Sequence, residues 1–121
     1  MAAGIAALKL LEELNPYAKL HAMGGQICSA ATAAAHDKGL ALQAPQVGSM
    51  FSLFFTATPV RDYDSALTSD AKLFAGFFRH CLNGGVYLPP SAYESWFLST
   101  AHEGAAIDRA CEVIVSGIKS L

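Results

Sequence analysis

Charge is what this 121-residue chain has least of: Asp, Glu, Lys and Arg make up only 15% of it, against about 25% in an ordinary soluble domain. Eight Lys and Arg are set against ten Asp and Glu, for a net charge of −2, and the cations form no cluster. Phosphate backbones are gripped by such clusters, so no nucleic-acid partner is expected. No apolar run approaches the roughly 18 residues of a membrane span. Lys9, Glu12 and Glu13 interrupt the stretch where a secretory signal would be apolar. The chain therefore reads as soluble and unexported, with no membrane partner. Cys28, Cys81 and Cys111 are odd in number, far apart and set in apolar stretches. That is the pattern of buried thiols in a reducing cytoplasm rather than of a disulfide framework.

Several kinds of chemistry lack their spelling as well. No C-x-x-C occurs, and His21, His36, His80 and His102 are never four residues apart, so no metal-ligand set is expected. Gly24-Gly25 and Gly84-Gly85 lack the strand, Gly-rich loop, helix order that aims N–H groups at a phosphate. No G-x-S-x-G elbow presents a serine nucleophile. His80 and Cys81 are neighbours, but consecutive helical residues point about 100° apart and do not face each other.

Apolar residues are what the chain does have, at 53% of the total. That excludes disorder, which needs low hydrophobicity and high net charge. Residues 1–121 are one domain's worth of chain, and so oily a composition points to apolar surface meant for a partner the sequence does not contain. Met1 to Leu14 puts Ile5, Leu8, Leu11 and Leu14 on roughly one helical face and stops at Asn15-Pro16. No Ser, Thr, Asp or Asn precedes Ala2 to cap it, as expected of a cut end. A second helix is expected from Tyr17 to about Asp37, with Leu20, Ile27, Ala31 and Ala34 at helical spacing and Gly39 as its C-terminal cap. Its Gly24-Gly25 pair should weaken it by about 1 kcal/mol per glycine unless it permits close packing.

Leu40 to Val47 and Ser49 to Thr56 read as two strands of a hairpin, with Pro45 at an edge or bend. Ala57 to Thr68 reads as loop. A third helix is expected from Ser69-Asp70, with serine capping, carrying Leu73, Phe74, Phe77, Phe78, Cys81 and Leu82 and ending at Asn83-Gly84-Gly85. Val86 to Leu88 and Trp96 to Ser99 read as further short strands. Thr100-Ala-His-Glu103 has capping-box spacing ahead of a last helix with Ile107, Cys111, Ile114 and Ile118 on one face. The expected fold is α+β, in the order ααββαββα, a small antiparallel sheet of three or four strands with helices packed on one face.

Glu94 stands in a loop stiffened by Pro89 and Pro90 and flanked by Tyr93 and Trp96. Spacing alone makes it a solvated loop glutamate.

The stretch Gly85-Val-Tyr-Leu-Pro-Pro-Ser-Ala-Tyr-Glu-Ser-Trp-Phe-Leu-Ser-Thr-Ala-His102 resembles the C-terminal region of the glutamate-1-semialdehyde 2,1-aminomutase family. Met1-Ala-Ala-Gly-Ile-Ala-Ala-Leu8, Gln46-Val-Gly-Ser-Met-Phe-Ser-Leu-Phe-Phe-Thr56, and Pro59-Val-Arg-Asp-Tyr-Asp-Ser-Ala-Leu-Thr-Ser-Asp70 with Phe74 agree in the same order. The resemblance implies the C-terminal small domain of a fold type I enzyme that uses pyridoxal phosphate (PLP). That enzyme isomerises glutamate-1-semialdehyde, its small-molecule substrate, to 5-aminolevulinate on the route to tetrapyrroles. It implies a large PLP-binding domain and a homodimer partner, and a cytoplasmic setting, or the plastid stroma in a plant.

The family's Schiff-base lysine, its aspartate facing the pyridine nitrogen and its phosphate loop belong to that large domain. None of Lys9, Lys19, Lys38, Lys72 or Lys119 sits in a matching motif. The resemblance thus implies no catalytic, cofactor-binding or metal-binding residue here, no cofactor bound to this chain alone, and inactivity in isolation. It does imply that Glu94 reaches the substrate. Exposed apolar residues are then expected on the N-terminal helices and around the Pro89–Trp96 loop. A non-enzymatic interaction module derived from the family and the small domain of a related ω-aminotransferase are the competing readings.

Overall fold

A computed structural model of the chain describes residues 1–102 and 104–121. Helix α1 (Ala2–Leu14) ends where Asn15 turns to φ +38° ahead of Pro16. None of its residues is buried, and among the described residues it packs on no other element. Leu8, Leu10, Leu11 and Leu14 are therefore all exposed.

Helix α2 (Tyr17–Lys38) is closed by Gly39 at φ +72°, as the sequence implied. Its buried face is built from Met23, Gly24, Ile27, Cys28, Ala31, Ala34 and Ala35. So small a face lets α5 (Gly104–Ser120) lie close along it. Gln26 Nε2 donates to Asp108 at 2.8 Å and Lys38 Nζ to the Lys119 carbonyl at 2.6 Å, so the two helices run in the same direction. The cost of Gly24 has its reason in a close approach: a Cβ there would stand 2.6 Å from Gln46 Nε2. That amide donates to the carbonyls of His21 at 2.7 Å and Gly48 at 2.9 Å, fastening the hairpin to α2.

The hairpin forms as expected, with shorter strands: β1 (Gln46–Val47) and β2 (Met50–Phe51), joined through Gly48 at φ +59°. Pairing in the same register resumes at Gln43 and Phe54. Pro45 is the reason for the interruption. It stands at a hydrogen-bonded position, where its carbonyl accepts from Ser52 N at 3.3 Å but its own nitrogen has nothing to donate. Strand β3 (Trp96–Phe97) pairs antiparallel with β2 to give the sheet order β1-β2-β3. The expected strand at Val86–Leu88 does not form. Val86 N bonds back to the Cys81 carbonyl at 2.8 Å as the chain wraps off the preceding helix, and no strand lies alongside.

The expected loop 57–68 contains one helical turn, α3 (Tyr63–Ala66). Asp62 and Ser65 cap it reciprocally, Asp62 Oδ1 accepting from Ser65 N at 2.8 Å. These bonds from Ser65 hold the Asp62 carboxyl below its ordinary range. Helix α4 (Ala71–Asn83) is capped by Asp70, whose Oδ1 accepts from Lys72 N and Leu73 N. Ser69, the expected cap, instead accepts from Phe55 N at 2.9 Å. Ile107, Ile114 and Ile118 are buried on α5, with Cys111 half-buried. The capping box read at Thr100–Glu103 lies in part outside the described residues.

The core is aromatic. Phe77 of α4, fully buried, meets Phe55 edge-on at 5.5 Å between centroids and stacks with Trp96 at 6.5 Å, and Trp96 meets Phe51 at 5.4 Å. Helices α4 and α5 run antiparallel against each other, and Gly117 makes that possible: a Cβ there would come within 3.1 Å of the Phe77 ring. The helices thus cover one face of the sheet, the face of Phe51 and Trp96. On the other face Val47, Met50 and Phe97 form a cross-strand row open to solvent.

Burial pushes the Cys28 thiol up to about 11 and the Cys81 thiol to about 12 from the ordinary 9.0. Burial first, and the Asp108 charge second, raise Cys111 as well. Because folding disfavours the thiolate, the stability tied to Cys28 and Cys81 is complete below about pH 9, and it is lost as pH rises through their folded values of about 11 and about 12.

Two outcomes are expected. Phe77→Ala should cost about 3–5 kcal/mol and Asp70→Ala about 1 kcal/mol in chemical denaturation, whereas equal costs would mean the aromatic cluster is not the centre of the core. Alkylation at mildly alkaline pH, followed by mass spectrometry, should label Cys111 first and reach Cys28 and Cys81 only on unfolding.

Candidate functional site

The chain between α4 and α5 folds over the open end of the core and leaves a cleft of about 560 Å³. Its floor and walls are apolar, with Phe51, Leu88, Trp96, Ile107 and Ile114 among them. A volume of this size suits a small ligand. Two ionisable side chains of opposite habit, Glu94 and His102, also line it.

Glu94 is placed by its backbone. Ser91 begins a tight turn, its hydroxyl accepting from Tyr93 N at 3.2 Å and its carbonyl from Glu94 N at 3.4 Å. Pro89 and Pro90 stiffen the approach. On the far side β3 begins at Trp96 and is held in the sheet. The Glu94 carbonyl accepts from Ser52 Oγ at 3.0 Å. The Glu94 side chain itself is exposed, and among the described residues no side chain donates to its carboxylate. It is free to meet whatever enters the cleft.

His102 is held differently. Its Nδ1 accepts from Ser99 N at 3.0 Å. An amide hydrogen aimed at Nδ1 leaves the proton of the neutral ring on Nε2, so the free nitrogen is a donor. No pattern of residues marks His102 as a cleft residue. Ser52 carried a weak signal, a hydroxyl inside the apolar run Phe51–Phe55, because buried polar atoms need partners.

A carboxylate, an N–H donor and an apolar floor can bind and orient a ligand. They can also turn away a carboxylate that approaches Glu94. His80 and Cys81 do not pair: His80 faces Ser116 Oγ at 3.1 Å and Ser120 Oγ at 3.3 Å, while Cys81 is buried in the core. Among the described residues no three His, Cys, Asp or Glu converge on a metal position, and no helix is long and apolar enough to cross a membrane.

PLP would need a lysine to condense with its aldehyde and donors for its phosphate. All eight Lys and Arg side chains are exposed, and none lines the cleft. The residues present do not fit the cofactor's anchors; they supply a wall, not a cradle.

No protein-family model matches the chain. Over its whole length it is 69% identical to the glutamate-1-semialdehyde 2,1-aminomutase of Opitutus terrae and 42% identical to that of Aquifex aeolicus, covering 28% of each. Among solved structures, the PLP internal aldimine form of the FumI protein of Sphingopyxis sp. MTA144 matches with a TM-score of 0.77 at 27% identity, over 98% of this chain and 26% of that one. A β-phenylalanine aminotransferase from Variovorax paradoxus matches with a TM-score of 0.72 at 27% identity, over 84% and 23%. The chain spans little more than a quarter of the relatives it matches. From end to end it is homologous to one part of the glutamate-1-semialdehyde 2,1-aminomutases, with a fold shared by PLP-dependent transferases.

Proposed function

We propose that this chain serves as the C-terminal small domain of a glutamate-1-semialdehyde 2,1-aminomutase. The whole enzyme would isomerise glutamate-1-semialdehyde to 5-aminolevulinate for tetrapyrrole synthesis in the cytoplasm, with PLP and its lysine in a large domain. The observation that carries the reading is the 69% identity along the full chain to a relative of that name. The exposed α1 supports it, since an apolar helix that packs on no other element among the described residues suits a surface covered by a large domain and a homodimer partner.

Within that enzyme Glu94 is proposed to face the substrate from the cleft mouth. Many fold type I aminotransferases grip a substrate carboxylate with an arginine fork, whereas residues 86–100 contain no Arg or Lys. A carboxylate in that place repels a second carboxyl group, so ordinary dicarboxylic amino acids would be disfavoured.

Two outcomes test this. Mixed with PLP and reduced with borohydride, the chain alone should yield no single stoichiometric lysine adduct; one such adduct would sink the assignment of the cofactor lysine to a large domain. In the full-length polypeptide, Glu94→Gln should tighten inhibition by dicarboxylic amino acids on the order of tenfold, equivalent to about 1.4 kcal/mol. Unchanged inhibition would remove Glu94 from the substrate.

A further inference from the structure

Among the described residues three polar side chains are buried, Ser52, Thr56 and Ser69, and one of them reaches the cleft loop. Thr56 Oγ1 meets Thr68 Oγ1 at 2.8 Å, and Ser69 Oγ accepts from Phe55 N at 2.9 Å. Both bonds tie the Phe51–Thr56 run to the approach to α4. Ser52, only 6% exposed, sends its hydroxyl to the Glu94 carbonyl, 42 residues along the chain, at 3.0 Å.

The sheet explains why a side chain does this. Ladder pairing between β2 and β3 ends at Phe51 and Trp96. At the next residue the backbone amide of Ser52 is already committed to the Pro45 carbonyl. The hydroxyl takes over where the ladder stops and extends the hold on the loop to Glu94. The other backbone anchor of Glu94, its N–H to the Ser91 carbonyl in the preceding peptide, is long at 3.4 Å. Fixing the carbonyl fixes the peptide plane that leaves Glu94, and with it the base from which the side chain springs. No side chain among those described steadies the carboxylate itself, so its position depends on this backbone hold.

We propose that Ser52 is a positioning residue for the Glu94 carboxylate, acting through that carbonyl to set how a substrate's carboxyl groups are discriminated. The inference rests on the reading of Glu94 given above.

The experiment is a double-mutant cycle in the full-length polypeptide, read as the ratio of kcat/KM for the semialdehyde to the inhibition constants of dicarboxylic amino acids. Ser52→Ala, nearly isosteric, should lose most of the discrimination that Glu94→Gln loses. Ser52→Thr, which keeps the hydroxyl, should recover it. In the Glu94→Gln background Ser52→Ala should add nothing to the ratio. If Ser52→Ala does not fold, Ser52→Cys, with its weak donor, should fall between wild type and Glu94→Gln. An undiminished effect of Ser52→Ala in the Glu94→Gln background would show general loosening and overturn the positioning role alone. So would unchanged discrimination in Ser52→Ala, or in Ser52→Cys where that variant stands in, while Glu94→Gln alters it. No effect of Glu94→Gln itself would overturn the Glu94 reading and this inference with it.

Discussion

Phe77 joins the parts of this molecule that would otherwise have little reason to meet. Its ring stacks on Trp96 from the sheet, meets Phe55 from the run after β2, and lies against the helix α5 where Gly117 leaves room. Any side chain at 117 would press on the ring, and a smaller ring would leave a hole between α4, α5 and β3. Trp96 is both a partner of Phe77 and the first residue of β3. The same packing that closes the core therefore fixes where the Glu94 loop ends. Core and cleft share a wall.

The second constraint is the mismatch between apolar residues and the surface available to cover them. The helices bury the Phe51 and Trp96 face of the sheet and leave the Val47, Met50 and Phe97 row in solvent, together with the leucines of α1. This is the physical content of a composition so low in charge: a chain of this length has too few layers to hide its apolar residues. The homology to one part of a longer enzyme supplies a reason for such a surface. The outer sheet row is not legible in the sequence, because period-2 alternation cannot be read from strands of two residues.

Long, strongly periodic elements were legible. The bounds of α2 and α4 followed from apolar spacing together with Gly39 and the Asn83-Gly84 stop. Local polar choices were not. Ser69 and Asp70 are both competent N-caps, and the choice fell to Asp70 because Ser69 is occupied by the Phe55 amide, a contact between residues far apart in sequence. Val86–Leu88 has the composition of a strand but no neighbour to pair with, and strand character without a partner is only extended chain. The turn at α3 was hidden because its cap, Asp62 with Ser65, looks like ordinary loop chemistry.

The candidate site divides along the same line. Sequence by itself determined the fold class, the loop that carries Glu94 and, through resemblance, the role proposed for it, since those depend on residue types and their order. Tertiary structure alone decided that Glu94 and His102 share a cleft and that Ser52 holds the Glu94 carbonyl. Each of these is a meeting of groups from different segments, and its geometry is set by packing against Phe77 and Trp96 rather than by any local pattern.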